Sequence, residues 1–377
     1  MVITETKQLK IGILTFHRAT NYGAVLQAYA LQEYIESLGH SVSVIDYSPH
    51  TIGSLFFSLK NISVYKKFKR IVASIIYSPR LLIRLPRRKV FQVFINNKLN
   101  LSKRINSLDE LSDEYDYYVI GSDQVWNTEL TGGYDKIYWG EFSLNSKVRK
   151  IAYAVSASEN IEQTFMDARC FTALSNFYKI GVREHQLYNI IKGKTDREIV
   201  KVQDPTILAG KYFLDSLVSD TSVAPQYLLV YQVDLSANSY IQNMANRIAD
   251  DLGLQIIEVA ASVSITKSIF RRNYLQIASP DQFIRYIANA ALVLTTSFHG
   301  TALSVIYNKP FYVISINNQV DERSQNLLND LNIMDRMINP RQEEYSLQGI
   351  NWSAVNKSLE LLQLESREFL EKCFALS

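Results

Sequence analysis

Short apolar runs alternate with stretches of helical periodicity along most of the chain. Residues 10–16 are typical of a buried strand, and residues 23–38 carry apolar side chains three or four positions apart, as an amphipathic helix does. Gly39 would cap that helix at its carboxyl end, and the alternating residues 41–47 predict a second strand. The chain therefore begins with a predicted strand-helix-strand unit, which is the building block of parallel sheets.

The same alternation continues and then restarts after a loop at residues 216–225. Apolar runs that predict strands lie at Tyr117–Ile120, Arg149–Val155, Tyr178–Val182 and Ile199–Val202 before the loop, and at Tyr227–Val233, Gln255–Ala260, Leu292–Thr295 and Phe311–Ile316 after it. This pattern predicts an α/β protein of two Rossmann-like domains, residues 1–215 and 225–350, whose parallel sheets face a cleft. A helix within residues 352–377 is expected to pack back on the amino-terminal domain.

The charge distribution singles out residues 47–108. This segment contains 13 Lys or Arg and no Asp or Glu, whereas the rest of the chain carries 27 basic and 37 acidic side chains. Phe, Ile and Leu are interleaved with the basic side chains, and Pro79 and Pro86 divide the segment into helix-sized pieces. We expect a basic helical insertion that contacts an anionic membrane surface. Nucleic acid is the competing partner, which the apolar residues disfavour, and an insertion that only packs on the first domain is the structural alternative.

Composition and spacing argue against several classes of protein. The 377 residues include only two cysteines, Cys170 and Cys373, too far apart for a disulfide scaffold, which fits a reducing compartment. The start of the chain lacks the pattern of a secretory signal, and no apolar run approaches the roughly 20 residues that span a bilayer. No two glycines and no two aspartates are separated by a single residue, and no P-loop is present, which disfavours NAD, ATP and an Asp-x-Asp metal site. We therefore expect a cytoplasmic protein with no metal and no cofactor.

Four loops follow predicted strands, at the ends where open α/β sheets bind ligands. They are His17–Gly23, Gly121–Asn127, Gly181–Glu184 and Ser297–Leu303. The last of them places His299 at a strand-to-helix turn, where the helix amino terminus stabilises an anion. Each loop also has a structural interpretation, such as packing of Trp126 in the second loop or a surface pair of Arg183 with Glu184 in the third.

Six short motifs occur in order along the chain. They are Asn-Tyr-Gly at 21–23, Gly-Ser-Asp-Gln-Val-Trp-Asn at 121–127, Tyr-Ala-Val-Ser at 153–156, Gly-Val-Arg-Glu at 181–184, Asp-Pro-Thr at 204–206 and Ser-Phe-His-Gly-Thr-Ala at 297–302. Together they resemble the polysaccharide pyruvyl transferase family over about residues 9–330. The fold of that family is similar to the two-domain arrangement called GT-B, which agrees with the two α/β domains predicted from the apolar pattern.

The resemblance implies transfer of a pyruvyl group from phosphoenolpyruvate to two hydroxyls of one hexose, which yields a cyclic ketal and free phosphate. The acceptor would be a precursor of a bacterial surface polysaccharide such as a capsule, and we expect it to be linked to polyprenyl diphosphate. Cationic side chains and N–H groups can hold the carboxylate and phosphate of the donor, so no metal is required. The enzyme would act in the cytoplasm, peripherally associated with the inner face of the membrane.

The resemblance also assigns roles to individual residues. The functional His of the family falls on His299 and its functional Arg on Arg183. A further basic residue, some twenty positions after the His, has no clear match, because position 319 is Gln and the nearest candidates are Lys309 and Arg323. We infer Asp123 as a base from its place in the second loop. Substrate contacts are also expected from Asn21, Tyr22, Gly23, Ser122, Trp126, Asn127, Ser297, Gly300 and Thr301.

Two other functions remain open at this point. A nucleotide-sugar glycosyltransferase with a GT-B-type fold would differ in its donor. A non-catalytic glycan-binding protein of the same pathway would tolerate the loss of His299 and Arg183.

Overall fold

In the part of the chain that the structure describes, two sheets of six parallel strands each form the core. The computed structural model describes residues 7–47, 82–157, 161–218, 226–233, 235–236, 238–264, 273–315, 320–339 and 348–375. The first sheet comprises β1 (Lys10–Leu14), β2 (Ser41–Val44), β3 (Tyr117–Ile120), β4 (Arg149–Val155), β5 (Lys179–Val182) and β6 (Ile199–Lys201). Its strand order is β2-β1-β3-β4-β5-β6, so that β1 pairs with β2 on one side and with β3 on the other.

The second sheet repeats this architecture in the carboxyl-terminal half. It comprises β7 (Tyr227–Gln232), β8 (Gln255–Ala260), β9 (Tyr274–Leu275), β10 (Leu292–Thr295), β11 (Phe311–Ile314) and β12 (Met337–Ile338). The strand order is β12-β11-β10-β7-β8-β9, and every pairing is parallel. Two sheets built in this way confirm the predicted α/β class.

Helices cover the faces of both sheets. They are α1 (Tyr22–Ser37), α2 (residues 82–98), α3 (Thr128–Thr131), α4 (Ile161–Phe165), α5 (Ala168–Ala173), α6 (His185–Ile191), α7 (Pro205–Leu214), α8 (Asn238–Leu252), α9 (Pro280–Asn289), α10 (Phe298–Ile306), α11 (Val320–Asp330) and α12 (Trp352–Phe374). Strands β3, β7, β10 and β11 are buried along their whole length, as expected when helices lie on both faces of a parallel sheet. None of the helices in the described part of the chain is long and apolar enough to cross a membrane.

The last helix returns to the amino-terminal domain. In α12, Ser366 accepts a hydrogen bond from the backbone N–H of Gln203 at 2.8 Å, and the Gln363 side chain donates to the Ile207 carbonyl at 2.7 Å. Near its end, the ring of Phe374 packs edge-on against Tyr117 of β3. The chain therefore crosses from the second sheet back to the first.

Arg87 joins the two domains through a single guanidinium group. This side chain of α2 is 3% exposed, and its Nη1 donates to the Tyr22 hydroxyl at 3.2 Å and to the carbonyls of Ala260 and Gln276, both at 2.9 Å. Its Nη2 donates to the Ala261 carbonyl at 3.1 Å. Because α2 and Tyr22 belong to the first domain, whereas the carbonyls lie at the ends of β8 and β9, the charged group is bound from both sides of the cleft.

The predicted basic insertion is described only in part, since residues 48–81 lie outside the described ranges. Within α2, Phe91, Phe94 and Ile95 are buried in the main hydrophobic core. On the opposite face, Leu82 and Leu85 are 74% and 57% exposed. This helix therefore packs on the domain through one face and presents apolar side chains to solvent on the other.

Candidate active site

His299 is placed by the short turn between β10 and α10. Ser297 is the N-cap of α10, and its hydroxyl oxygen accepts a hydrogen bond from the Gly300 N–H at 3.4 Å. A Cβ atom at Gly300 would lie 2.3 Å from the Thr295 hydroxyl oxygen, so a larger residue does not fit there. The turn is therefore tight, and it holds His299 in the first turn of the helix with only 8% of its surface exposed.

Gly23 brings the amino-terminal domain against the His299 ring. A Cβ atom at this position would lie 2.1 Å from Nδ1 and 2.4 Å from Cε1 of His299. Such distances are incompatible with any side chain larger than hydrogen. The first and fourth predicted loops therefore meet across the cleft, with the first turn of α1 against the first turn of α10.

Asp204 connects His299 to Arg183. Its Oδ1 caps α7 by accepting from the N–H and hydroxyl groups of Thr206 at 2.9 and 2.7 Å. Its Oδ2 accepts from Nη1 of Arg183 at 2.5 Å and lies 3.5 Å from Nε2 of His299. Burial alone would raise the pKa of the Asp204 carboxyl group, but the neighbouring His299 and Arg183 hold it well below its usual range. Asp204 is therefore an anionic anchor for both side chains.

Arg183 and Glu184 leave polar atoms without partners in this buried site. Arg183 is 6% exposed and Glu184 is 2% exposed. Nε and Nη2 of Arg183, and Oε2 of Glu184, have no hydrogen-bond partner among the described residues. Buried polar groups are normally satisfied, and an unsatisfied one costs about 1–3 kcal/mol. The cluster therefore has unused hydrogen-bonding capacity on both a cation and a carboxyl group.

Arg323 is the second cation of the site. The guanidinium groups of Arg183 and Arg323 lie 5.1 and 5.7 Å from the ring centre of Phe298. Burial lowers the pKa of Arg323, as does the charge of Arg183, whereas Glu184, Asp123 and Asp204 raise it. These interactions place Arg323 within electrostatic range of the whole cluster.

Lys309, the other candidate for the missing basic residue, lies elsewhere. It follows the carboxyl end of α10, whereas His299 is in the first turn of this nine-residue helix, so about 13 Å of helix separates the two ends. Its pKa is lowered by burial and by the nearby Lys211 rather than by any group of the cluster. Of the two basic residues named from the sequence, Arg323 is the one that the fold brings to His299.

The second loop contributes Asp123 to the surroundings of the site and packs its other residues. Asp123 is half-buried and adopts a positive φ of 71°, which turns the chain after β3. Ser122 is buried, and its hydroxyl oxygen accepts a hydrogen bond from the Asp123 N–H at 2.6 Å. Trp126 is fully buried and stacked on Trp139, with its indole N–H donating to the Tyr138 carbonyl at 3.1 Å.

Several other loop residues named from the sequence act as caps or packing groups in this structure. Asn21 and Asn127 are the N-caps of α1 and α3, and Thr301 donates its hydroxyl to the Ser297 carbonyl at 3.0 Å. Tyr22 is buried and stacked on Phe283 at 4.4 Å, and its hydroxyl donates to the Ala278 carbonyl. Their contact with substrate stays a prediction.

Sequence reasoning did not name Asp204, Glu184 or Phe298 as site residues. Each stands inside a motif that the sequence displays, Asp-Pro-Thr, Gly-Val-Arg-Glu and Ser-Phe-His-Gly. An Asp before a Pro predicts a helix N-cap, and Asp204 does cap α7. Only the folded structure shows that its other oxygen contacts Arg183 and His299. The signal that could have found it is the carboxylate directly after a strand, at the same sheet edge as Arg183.

The site thus combines two guanidinium groups, an imidazole and a helix amino terminus around an anchored carboxylate. Such groups bind phosphate and carboxylate ions. No grouping of three or more His, Cys, Asp or Glu side chains that could hold a metal ion occurs within the residues that the structure describes. The chemistry that these residues support is therefore recognition of a small, strongly anionic ligand.

The two-domain fold is shared with proteins of known structure. The UDP-GlcNAc 2-epimerase of Methanocaldococcus jannaschii matches with a TM-score of 0.51 and 10% identity, over 98% of this chain and 100% of that one. A proposed UDP-N-acetylglucosamine 2-epimerase from Listeria monocytogenes matches with a TM-score of 0.50 and 11% identity, over 98% and 92% of the two chains. These neighbours have the GT-B fold, which confirms the GT-B-like class of this protein.

The sequence then identifies the family within that class. The pattern of the polysaccharide pyruvyl transferase family matches residues 21–318, a range that includes Gly23, Arg183, Asp204 and His299. The chain belongs to the polysaccharide pyruvyl transferase family. The resemblance carried by the six motifs is thereby confirmed. None of the curated proteins matches the sequence.

Proposed function

We propose that the protein transfers the pyruvyl group of phosphoenolpyruvate to two hydroxyls of a hexose in a bacterial surface polysaccharide precursor. The observation that carries this proposal is the buried Arg183, whose Nε and Nη2 lack partners in the described structure, next to His299 and within electrostatic range of Arg323. A ligand with both a phosphate and a carboxylate would satisfy these cations. Membership of the family supports the same reaction class.

The reaction consumes one donor and two hydroxyl groups. Protonation of the methylene carbon of phosphoenolpyruvate makes it a methyl group and leaves a cation at the second carbon, which one sugar hydroxyl attacks. The bond from that carbon to the phosphate oxygen then breaks, and the second hydroxyl closes the ketal. Of the two hydroxyl protons, one replaces the proton given to the methylene carbon and the other leaves on the phosphate.

The residues divide this work by their chemistry. Arg183 and Arg323 hold the negative charges of the donor, and His299 supplies a proton to the departing phosphate. Asp123, half-buried at the edge of the cluster, accepts the proton of the attacking hydroxyl. Each positioned acid or base contributes typically 10²–10⁴-fold to the rate. The donor serves as a substrate, and the reaction proceeds without metal or cofactor.

The test is incubation with phosphoenolpyruvate and candidate lipid-linked hexoses, in which phosphate release and the mass of the product are measured. The expected product carries the added mass of pyruvate less water. Addition of EDTA should leave the rate unchanged, and strong inhibition by EDTA would contradict the metal-free mechanism. Turnover of a nucleotide sugar with no use of phosphoenolpyruvate would identify a glycosyltransferase instead. Unchanged pathway function after loss of both His299 and Arg183 would identify a non-catalytic glycan-binding protein.

We further propose that the basic segment 47–108 binds an anionic membrane surface, where a polyprenyl-linked acceptor would reside. Support comes from α2, where the exposed Leu82 and Leu85 lie beside the exposed Arg84 and Lys89. Apolar insertion combined with about 1 kcal/mol per basic residue gives salt-sensitive binding. The protein would then work in the cytoplasm at the inner face of the membrane.

Flotation with anionic liposomes tests this second proposal. The protein should float at low salt and be released as salt screens its charges. Replacement of Arg84 and Lys89 by Gln should weaken flotation, with Lys372→Gln, an exposed lysine of α12, as the matched control. Equal flotation of all three proteins would exclude a role for Arg84 and Lys89, and no flotation at low salt would refute the membrane contact.

A further inference from the structure

Glu184 is a buried carboxyl group beside the cationic cluster. It follows Arg183 at the end of β5 and precedes α6. Its Oε1 accepts a hydrogen bond from the Ser156 hydroxyl, at the end of β4. Its Oε2 has no partner within the described ranges and is shielded from solvent. One oxygen is thus fixed by a neighbouring strand, and the other is left for a ligand.

The surroundings of Glu184 favour its neutral form. Burial raises the pKa of its carboxyl group, which Arg183, Ser156 and Arg323 only partly offset. Its Oε1 lies 3.9 Å from Nε of Arg183, the atom whose N–H is unpartnered. An anion bound by Arg183 would therefore sit next to Glu184. An ionised Glu184 would repel that anion, whereas a protonated one can donate to it.

The carboxyl group of Asp204, by contrast, is already engaged. In the proposed reaction His299, whose Nε2 lies 3.5 Å from Asp204, serves the departing phosphate rather than the methylene carbon. Asp204 receives hydrogen bonds from Arg183 and Thr206 and is held in its ionised form, so it has no proton to give. Glu184 combines an oxygen that has no hydrogen-bond partner among the described residues with a site that raises the pKa of its carboxyl group.

We propose that Glu184 is the proton donor to the methylene carbon of phosphoenolpyruvate. This inference rests on the proposed function, in which no residue was assigned to protonate the methylene carbon. The proton of the carboxyl group forms the new C–H bond of the methyl group, and the electron pair of the double bond supplies that bond. The resulting carboxylate of Glu184 regains a proton from a hydroxyl of the sugar, by way of Asp123, so the group is restored in each cycle.

The experiment compares Glu184→Gln with the wild-type protein and with Ser156→Ala. Gln keeps the shape of the side chain and an oxygen for the Ser156 hydroxyl but cannot donate a carboxyl proton. Phosphate release by Glu184→Gln should fall 10²–10⁴-fold, with the Kd for phosphoenolpyruvate within a few-fold of wild type. Ser156→Ala removes one neutral hydrogen bond and should slow the reaction less than tenfold.

The pH dependence separates proton donation from a positioning role. The wild-type kcat should fall as the pH rises, because Glu184 and His299 both act as acids and must be protonated, and Glu184→Gln should lose the part of this decline that Glu184 causes. Arg183, Arg323, His299, Asp204 and Asp123 face the same site and are unchanged in the variant. Reaction of the wild type in D₂O should place one deuterium in the ketal methyl group.

The outcomes are distinguishable. A wild-type protein that releases no phosphate from phosphoenolpyruvate with any acceptor refutes the proposed function itself. With an active wild type, the inference about Glu184 fails if Glu184→Gln keeps more than a tenth of the rate, shows the same alkaline decline as the wild type, or loses binding of phosphoenolpyruvate. Circular dichroism of the variant confirms that each comparison is made on folded protein.

Discussion

Two clusters of His, Arg and Asp lie at the carboxyl ends of strands of the first sheet, and the second cluster takes its His from the second sheet. In the first cluster, His17 bonds the Thr15 carbonyl at 3.1 Å through Nδ1 and Asp46 at 3.2 Å through Nε2. Arg18 holds the same carboxylate through two hydrogen bonds of 2.8 and 2.6 Å. The second cluster is that of Arg183, Asp204 and His299, where Arg183 makes one such bond and keeps two nitrogen atoms unpartnered in the described structure.

The difference shows that residue type alone does not define a site. In both clusters burial opposes ionisation of the Asp, and the neighbouring His and Arg hold the pKa of its carboxyl group well below the usual range. In the first cluster the side chains of His17, Arg18 and Asp46 bond one another, and these bonds stabilise the loop after β1. The second keeps buried cationic atoms without hydrogen-bond partners among the described residues, and the proposed donor would use them.

The largest expected effect contrasts the two histidines. His299→Ala should lower kcat by 10²–10⁴-fold in the folded protein, where Arg183 and Thr206 still bond Asp204. His17→Ala removes a partner of the buried Asp46 and should lower the free energy of unfolding by about 1–3 kcal/mol, with kcat preserved in the folded fraction. Steady-state rates and thermal melts of both variants measure the contrast, and full activity of folded His299→Ala would contradict the assignment of the site.

Gly23→Ala should have the next largest effect. The added methyl group would collide with the His299 ring, which must shift, and a displacement of about 1 Å can slow an enzyme by about 10²-fold. Gly349→Ala is the matched control, because a Cβ atom there meets nothing within 4 Å. Equal kcat values for the two variants would show that the close approach of Gly23 is not needed for catalysis.

Arg183→Lys should have a smaller effect, on binding of the donor. Lysine keeps a positive charge for Asp204 but loses the planar fork with its two unpartnered nitrogen atoms. Loss of one charge-assisted hydrogen bond of about 1.5 kcal/mol raises the KM for phosphoenolpyruvate roughly tenfold. Arg18→Lys should leave this KM unchanged, and equal values in both variants would remove the distinction between the two clusters.

The smallest expected effect is on the pH dependence of stability. The pKa of Asp46 is lowered in the folded protein, so its stabilising contribution is complete above the unfolded pKa of about 3.9 and is lost as the pH falls below that value. Asp46→Asn should therefore flatten the acid side of the curve of unfolding free energy against pH. Chemical denaturation at pH 3 to 7 measures the free energy of unfolding. An unchanged slope against pH would mean that Asp46 does not cause the loss of stability in acid.

The strand pattern was predictable where apolar runs were long and bounded by polar residues. Strands β8 and β10 have the predicted bounds, whereas β9 and β12 were missed because two residues show no periodicity. Strand β1 ends at Leu14, earlier than the predicted residue 16, and the Thr15 hydroxyl beyond it donates to the Ser122 carbonyl.

The site was predictable only as far as local motifs reach. His299 and Arg183 could be named because each stands in a loop after a strand, and the fold places both on Asp204. Spacing along the chain does not show how distant segments pack. It therefore could not predict that Trp126 stacks on Trp139, or that Arg323 rather than Lys309 lies near the cluster.

The Arg87 contact also determines how the two domains can move. If they separated along this edge, the buried guanidinium group would lose its carbonyl partners on the second domain, and breaking such a buried charged contact is strongly unfavourable. A hinge that opened the cleft would therefore have its axis near Arg87, so that the far edge swings while this edge stays closed. Since Arg87 also bonds Tyr22, the residue before Gly23, such a hinge would leave the packing of Gly23 on His299 intact.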